Sequence, residues 1–375
     1  MRPILIAIAA LLLVPTSASA ADLVIDGRGW GHGVGLSQYG AYGFALREGR
    51  DHRFILAHYY TGSSLGTAPA TRMRVRLKRA RAPKISGATR ARAANRRRVR
   101  LREDRAYRFE ALSGNRVRVV DGATGRTRAR LAAPVTVSGG ATTRLHGIAE
   151  NTRRDGTYRG RMVLLRDGGS VLAVNHVWLE HYLYGVVPAE MPASWVAEAL
   201  RAQAVVARSY ALTSRRPSDP YDVFADVRSQ VYGGVAAEVA STNAAVRSTR
   251  ARVVTVGGEV AQTFFFSTSG GRTASNEEGF GGPPLSYLRS VDDPHDDLSP
   301  VHTWTARFTR RDAERRLGSL VSGRLRGLRV ASRSPSGRAV NVVVRGSGGN
   351  QTVGAATIRT ALGLRSTWLT DIAGP

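Results

Sequence analysis

The sequence predicts an α+β protein: a mixed helix and antiparallel-sheet core with a small basic β-rich subdomain. Three observations carry this. Basic and apolar residues alternate from Arg72 to Lys78, as on a half-buried strand, and short β-like runs continue to Val135. The turn sequence Asp167-Gly168-Gly169 lies between the apolar runs 162–165 and 171–174, a hairpin signature. Downstream, residues 195–212 and 237–249 are alanine-rich with helical spacing, illustrated by Ala199, Ala202, Val206 and Tyr210.

The chain has 375 residues, 42% of them hydrophobic, enough for a substantial core. Residues 1–20 read as an export signal. Arg2 supplies the charge, residues 4–14 the apolar run, and Ala18-Ser19-Ala20 the cleavage site. The run is short for a bilayer span, so the expectation is an exported protein of the extracellular space or cell wall, an uncleaved anchor being the alternative. Residues 21–68 form an opening segment. Within it, Phe44, Ile55, Leu56 and Tyr59 suggest short amphipathic helical turns, and 63–70 reads as a linker. Residues 69–145 read as the basic β-rich subdomain, with Arg96-Arg97-Arg98 in an exposed loop, and 146–375 as the main core. In that core, Ser194 is the expected N-cap of the first helix. Strands are expected at 253–256, 260–266 and 340–344, and a charged helix at 310–317.

Cysteine is absent, which excludes disulfides and thiolate metal ligation. No cofactor is expected. Formal net charge is +27, nearly all from arginine, since Lys78 and Lys84 are the only lysines. Such a charge favours anionic partners, and in an exported chain wall or membrane-surface association through arginine fits better than nucleic acid. The basic region also lacks the interleaved aromatics that stack on bases.

Two segments carry chemistry. Glycine occupies alternate positions from Gly27 to Gly35. In an extended strand this leaves one face as bare backbone, suited to close approach, with Arg28, Trp30 and His32 on the other; a glycine-rich turn is the alternative. Further on, Glu190 lies between Pro188 and Pro192, which discourage helix and suggest a rigid loop. Beside Val187, Met191 and Trp195 its carboxyl is a candidate general acid, with apolar walls raising its pKa. A following helix N-terminus would oppose that shift. An ordinary surface Glu is the alternative. The run Asp292-Asp293-Pro294-His295-Asp296-Asp297 has the composition of a cation site and equally that of a turn.

The motifs L-E-x-Y-L-Y-G-V-V-P-A-E-M-P and E-A-L-R-A-Q-A-V-V-A-R-S-Y (175–210), S-Q-V-Y-G-G (229–234), S-G-G-R-T (269–273) and G-x-G-W-G-H-G-V-G-L-S-Q-Y-G-A (27–41) resemble the stage II sporulation protein D (SpoIID/LytB) family. The resemblance implies a peptidoglycan lytic transglycosylase acting on strands of N-acetylmuramic acid and N-acetylglucosamine. It also implies Glu190 as its catalytic carboxyl and Arg208 as a supporting residue, with Trp30, His32, Gln38, Gln230 and Tyr232 in substrate-binding or supporting roles. His32 could equally be structural. Glycan stripped of stem peptides is the implied substrate, and a cell-wall amidase the implied partner. A hydrolase would need a second carboxylate, for which Glu180 is nearest in sequence. Some members are amidase enhancers that bind wall without cutting it, and this stands as the alternative function. Two departures are visible. The glycine-rich segment closes the domain in other members and opens it here, which suggests circular permutation and predicts that 26–62 dock beside the C-terminal part of the core. In addition, Phe266 and Ser269 stand where a zinc-binding His and Cys are expected, so no structural zinc is expected.

Overall fold

A computed structural model describes residues 22–375; the expected export signal lies outside them. The architecture is α+β, with eight α-helices and mostly antiparallel sheets among the described residues. No described helix is long and apolar enough to cross a membrane. The chain divides into two compact units, residues 28–303 and residues 304–375 joined by 22–27.

The larger unit holds a seven-stranded sheet in the order Val223–Phe224, Arg72–Ala80, Ser170–Trp178, Arg161–Asp167, Val135–Ser138, Arg90–Arg92, Arg98–Arg100. A six-stranded sheet also contains strands from both sides of residue 145, Lys84–Ser86 and Thr142–Leu145 pairing in one ladder with Thr157–Arg159. The two sheets thus run through residue 145 without a break. The 72–78 alternation works as read: Met73, Val75 and Leu77 are fully buried while the intervening arginines are not. The hairpin forms with Asp167 opposite Ser170. The three-arginine run is split, since Arg96 and Arg97 are exposed and Arg98 begins a strand.

Five helices shape the site. They are α1 (Gln38–Glu48), α2 (His52–Tyr59), α3 (Leu179–Glu190), α4 (Ala197–Thr213) and α5 (Ala240–Ser248). Ser37 caps α1, its hydroxyl accepting from the Gly40 N–H, and Asp51 caps α2 by accepting from the Phe54 N–H. Ser194 does not cap α4. The Trp195 N–H closes a turn on the Pro192 carbonyl, so the helix begins two residues later, after Val196. Helices α1, α2 and α4 share a core in which Phe44, Ile55, Leu56 and Leu36 meet Leu200 and Val205.

The glycine-rich segment departs from the extended reading. The strand Leu23–Arg28 stops where the alternation is strongest, and Gly29, Gly31, Gly33 and Gly35 all have positive φ. The expected close approach is present in this looped form. At Gly35 (φ +79°) a Cβ would lie 2.2 Å from the Phe264 carbonyl oxygen. The following residues Leu36–Ser37 pair in parallel with Phe265–Phe266, and Trp30 bridges Thr268, so residues 29–37 are built into this unit and are not a detached arm. The expected linker at 63–70 contains a strand, Ser64–Thr67, paired with Arg252–Val256.

In the smaller unit Leu23–Arg28 lies between Thr303–Phe308 and Leu369–Ala373, so the first described strand pairs with the last. The strands Leu325–Arg333, Ala339–Gly346 and Gly349–Gly354 form an antiparallel sheet. Helices Arg310–Leu317 and Ala355–Leu362 pack into the same core around Trp304, Val342 and Ile358.

Candidate active site

Helix α3 exists because its apolar residues repeat correctly. Leu179, Tyr182, Leu183, Val186 and Val187 are buried on one stripe at i, i+3, i+4, i+7 and i+8. Contrary to the loop reading, the helix runs through Pro188 to Glu190. Pro188 removes one N–H and crowds the carbonyl of Tyr184, a cost the buried apolar stripe outweighs, and its fixed φ is helical. Pro192 supplies the stop. It pushes Met191 into an extended conformation (φ −133°, ψ 136°), and Met191 is buried. Glu190 therefore sits at a helix C-terminus, where the dipole disfavours its anion, the reverse of the N-terminal environment expected from the sequence.

The Glu190 carboxyl opens on a cavity of about 390 Å³ lined with His32, Tyr210, Ser229, Val231, Phe264 and Phe280. Glu190 is the one carboxyl among the lining residues. Burial pushes its pKa up to about 7, opposed by a hydrogen bond from the Val231 N–H. The Gln38 side-chain amide donates to the Glu190 carbonyl oxygen at 2.9 Å, satisfying a helix-end acceptor that has no partner within the helix. Ser37, by capping α1, fixes where Gln38 starts.

His32 shares the cavity, as the sequence suggested, but both ring nitrogens face backbone. Nδ1 accepts from the Val34 N–H at 3.1 Å, and Nε2 lies 3.1 Å from the Phe265 carbonyl oxygen. An acceptor role at Nδ1 leaves the proton on Nε2, so this network fixes one neutral tautomer. The ring also packs on Phe266 and Phe280. Trp30 is half exposed and is not among the lining residues.

Arg208 is not in this cavity. It is fully buried on α4 and grips Glu180 bidentately, Nε to Oε1 at 3.0 Å and Nη2 to Oε2 at 2.7 Å. It also donates to the Arg252 carbonyl at 3.0 Å. Glu180 opens α3 and Glu190 closes it, which separates them by about 15 Å along the axis at 1.5 Å per residue. That exceeds the roughly 5–9.5 Å that paired glycosidase carboxyls require, so Glu180 is excluded as the second acid of a hydrolase.

Gln230 and Tyr232 are likewise core residues. The Gln230 Oε1 accepts from the Tyr182 hydroxyl, and the Tyr232 hydroxyl donates to Asn175. Burial alternates along 229–232, so the intervening Ser229 and Val231 line the cavity. Within this motif it is Ser229 and Val231, not Gln230 and Tyr232, that reach the cavity. The three phenylalanines at 264–266 were visible in the sequence but not assigned to the site; Phe264 and Phe265 form a wall of it.

In the acidic run, Asp293 is buried and accepts from the Tyr59 hydroxyl at 2.7 Å. Burial, helped by Asp296, pushes its pKa up to about 6. Asp296 accepts from the Gly270 N–H and lies 2.9 Å from His302 Nδ1. These contacts are those of a turn organiser. Among the described residues no group of three or more His, Asp or Glu is arranged to hold a metal ion.

Fold and cavity together define an α+β protein presenting one desolvated carboxyl beneath an aromatic wall. Residues 167–256, which include that carboxyl, match the model of the SpoIID family, described as stage II sporulation protein. The chain is 30% identical over 211 residues to stage II sporulation protein D of Bacillus subtilis, covering 52% of this chain and 60% of that protein. The match to the Bacillus amyloliquefaciens protein of that name has the same identity and coverage. It is 38% identical over 133 residues to the amidase enhancer of Bacillus subtilis, covering 35% of this chain and 17% of that protein. The chain thus spans about three fifths of the sporulation proteins it matches.

Proposed function

We propose that this protein is an exported peptidoglycan lytic transglycosylase in which Glu190 serves in turn as general acid and general base. The observation that carries the proposal is a single carboxyl with its pKa raised to about 7, in a cavity whose lining supplies no second carboxylate. Protonated Glu190 donates to the glycosidic oxygen as its bond to the muramic acid C1 breaks. The resulting Glu190 carboxylate then takes the proton of the same sugar's C6 hydroxyl as that oxygen closes on C1. The product is a 1,6-anhydro end, and the acid is regenerated without a water nucleophile. A pKa near the working pH suits a group that must both give and take the proton. The Phe264–Phe280 wall limits water, the competing nucleophile. Val231 and Gln38 are positioning residues acting through the Glu190 carboxyl and backbone carbonyl.

Glycan stripped of stem peptides is the proposed substrate, and a cell-wall amidase that strips it the proposed partner. A second reading, a wall-binding amidase enhancer, is favoured by the 38% identity to a protein of that name. Digestion of purified glycan strands separates the two. Anhydro-ended products from the wild type and none from Glu190→Gln support the enzyme. Glycan binding without products from either protein, together with stimulation of an added amidase, supports the enhancer.

A further inference from the structure

A second cavity, of about 610 Å³, lies in the larger unit at the other end of α3 and is not used by the proposed reaction. Its walls carry Arg72, Arg90, Arg92, Arg161, Trp178 and His181. Arg159 is also present but is spent on Glu238 at 2.7 Å. Arg72, Arg90, Arg92 and Arg161 make no ion pair among the described residues, although this chain pairs arginine with carboxylate at many other places. Three of the four, Arg90, Arg92 and Arg161, are exposed. They come from separate strands, Arg90–Arg92 and Arg161–Asp167, on either side of Val135–Ser138, so the fold itself gathers them.

Concentrating like charge without partners costs free energy, and neighbouring groups register it. Burial, then Arg161 and Arg74, push the His176 pKa down to about 4. Arg72 is lowered by burial and by Arg161. The N-terminus of α3, begun by Trp178 without a side-chain cap, adds positive dipole beside the cavity.

We propose that this cavity is a binding site for a linear phosphodiester polymer with neutral, non-aromatic linkers, a polyol phosphate. Guanidinium forks arriving from different directions match a tetrahedral phosphate group, which offers acceptor oxygens all round, better than a planar carboxylate. Repeated phosphates account for several unpaired arginines along one cleft. Nucleic acid is disfavoured because the lining offers a single tryptophan, Trp178, with one face already covered by the Arg72 guanidinium at 3.7 Å, and no series of aromatic rings for successive bases.

The test titrates the whole protein with fluorescently labelled poly(glycerol phosphate), and with single-stranded DNA of equal phosphate number, at several salt concentrations. Expected is binding of poly(glycerol phosphate) that weakens linearly in log–log form with salt. The triple variant Arg90→Gln/Arg92→Gln/Arg161→Gln should lose about 100-fold in affinity, as expected for removing charge-assisted contacts. The equally charged variant Arg126→Gln/Arg128→Gln/Arg130→Gln, altered at exposed arginines outside the cavity, should bind like wild type. All substitutions in the first variant are at exposed positions, so folding, checked by circular dichroism, should persist. Equal loss in both triple variants, no loss in the first, or tighter binding of DNA than of poly(glycerol phosphate) would overturn the proposal.

Discussion

The two ends of helix α3 carry the same functional group in opposite surroundings. At the N-terminal end, Glu180 is clamped by the buried Arg208 through two hydrogen bonds. At the C-terminal end, Glu190 has no cation beside it, faces phenylalanine, and has its pKa raised to about 7. One carboxylate is used to hold two helices together, the other is kept able to exchange a proton. The lesson is that a motif rich in acidic and basic residues distributes its roles by environment. Arg208, which the resemblance implied as a supporting residue, and Glu180, the nearest second carboxylate in sequence, pair with each other away from the cavity.

The sharpest way to break this contrast is to exchange the chemistry of each end. Glu190→Gln should lower glycan cleavage by about 10²–10⁴-fold, the usual range for general acid–base catalysis, while the far-UV spectrum stays that of wild type and the unfolding midpoint does not fall. Arg208→Met should do the opposite. It leaves Glu180 without its partner and strips donors from buried carbonyls, so about 3 kcal/mol of unfolding free energy should be lost in denaturant titration. Any loss of activity in that variant should track the unfolded fraction.

A pH series sharpens the comparison further. Glu190 binds its proton more tightly folded than unfolded, so the folded state holds the extra proton between about pH 4.5 and 7. Over that window its ionisation costs the fold stability as pH rises, and above about pH 7 the cost is constant. Glu190→Gln should therefore gain stability relative to wild type from pH 4.5 to 7 and no more beyond. The smallest effect is expected at Gln38→Ala, which removes one donor to the Glu190 carbonyl. About 1 kcal/mol of stability should go. Cleavage should fall through kcat with little change in KM, because the carboxyl is displaced and the walls are not.

Much of this was legible in the sequence, and the failures share a cause. Local patterns held: the 72–78 alternation, the hairpin at 167–170 and the helix Arg310–Leu317 depend on neighbours within a few residues. Glu190 and His32 were both singled out, and the fold brings them to one cavity. What was misread depends on partners far away in the chain. The proline pair argued for a loop, but the apolar stripe from Leu179 to Val187 buries α3 firmly enough to carry it through Pro188. Gln230 and Tyr232, expected at the site, point into the core instead, because parity along an irregular segment is set by what lies beneath it, here Tyr182 and Asn175. Arg208 was drawn to the site by its motif, while its guanidinium reaches Glu180 at the other end of α3.

The central claim is that the fold holds the Glu190 carboxyl half-protonated near neutral pH. Its most direct test is the titration of the Glu190 side-chain carboxyl carbon by NMR in selectively labelled protein, assigned by its disappearance in Glu190→Gln. The account predicts a midpoint near pH 7. A midpoint near 4.5, the ordinary value for glutamate, would contradict it.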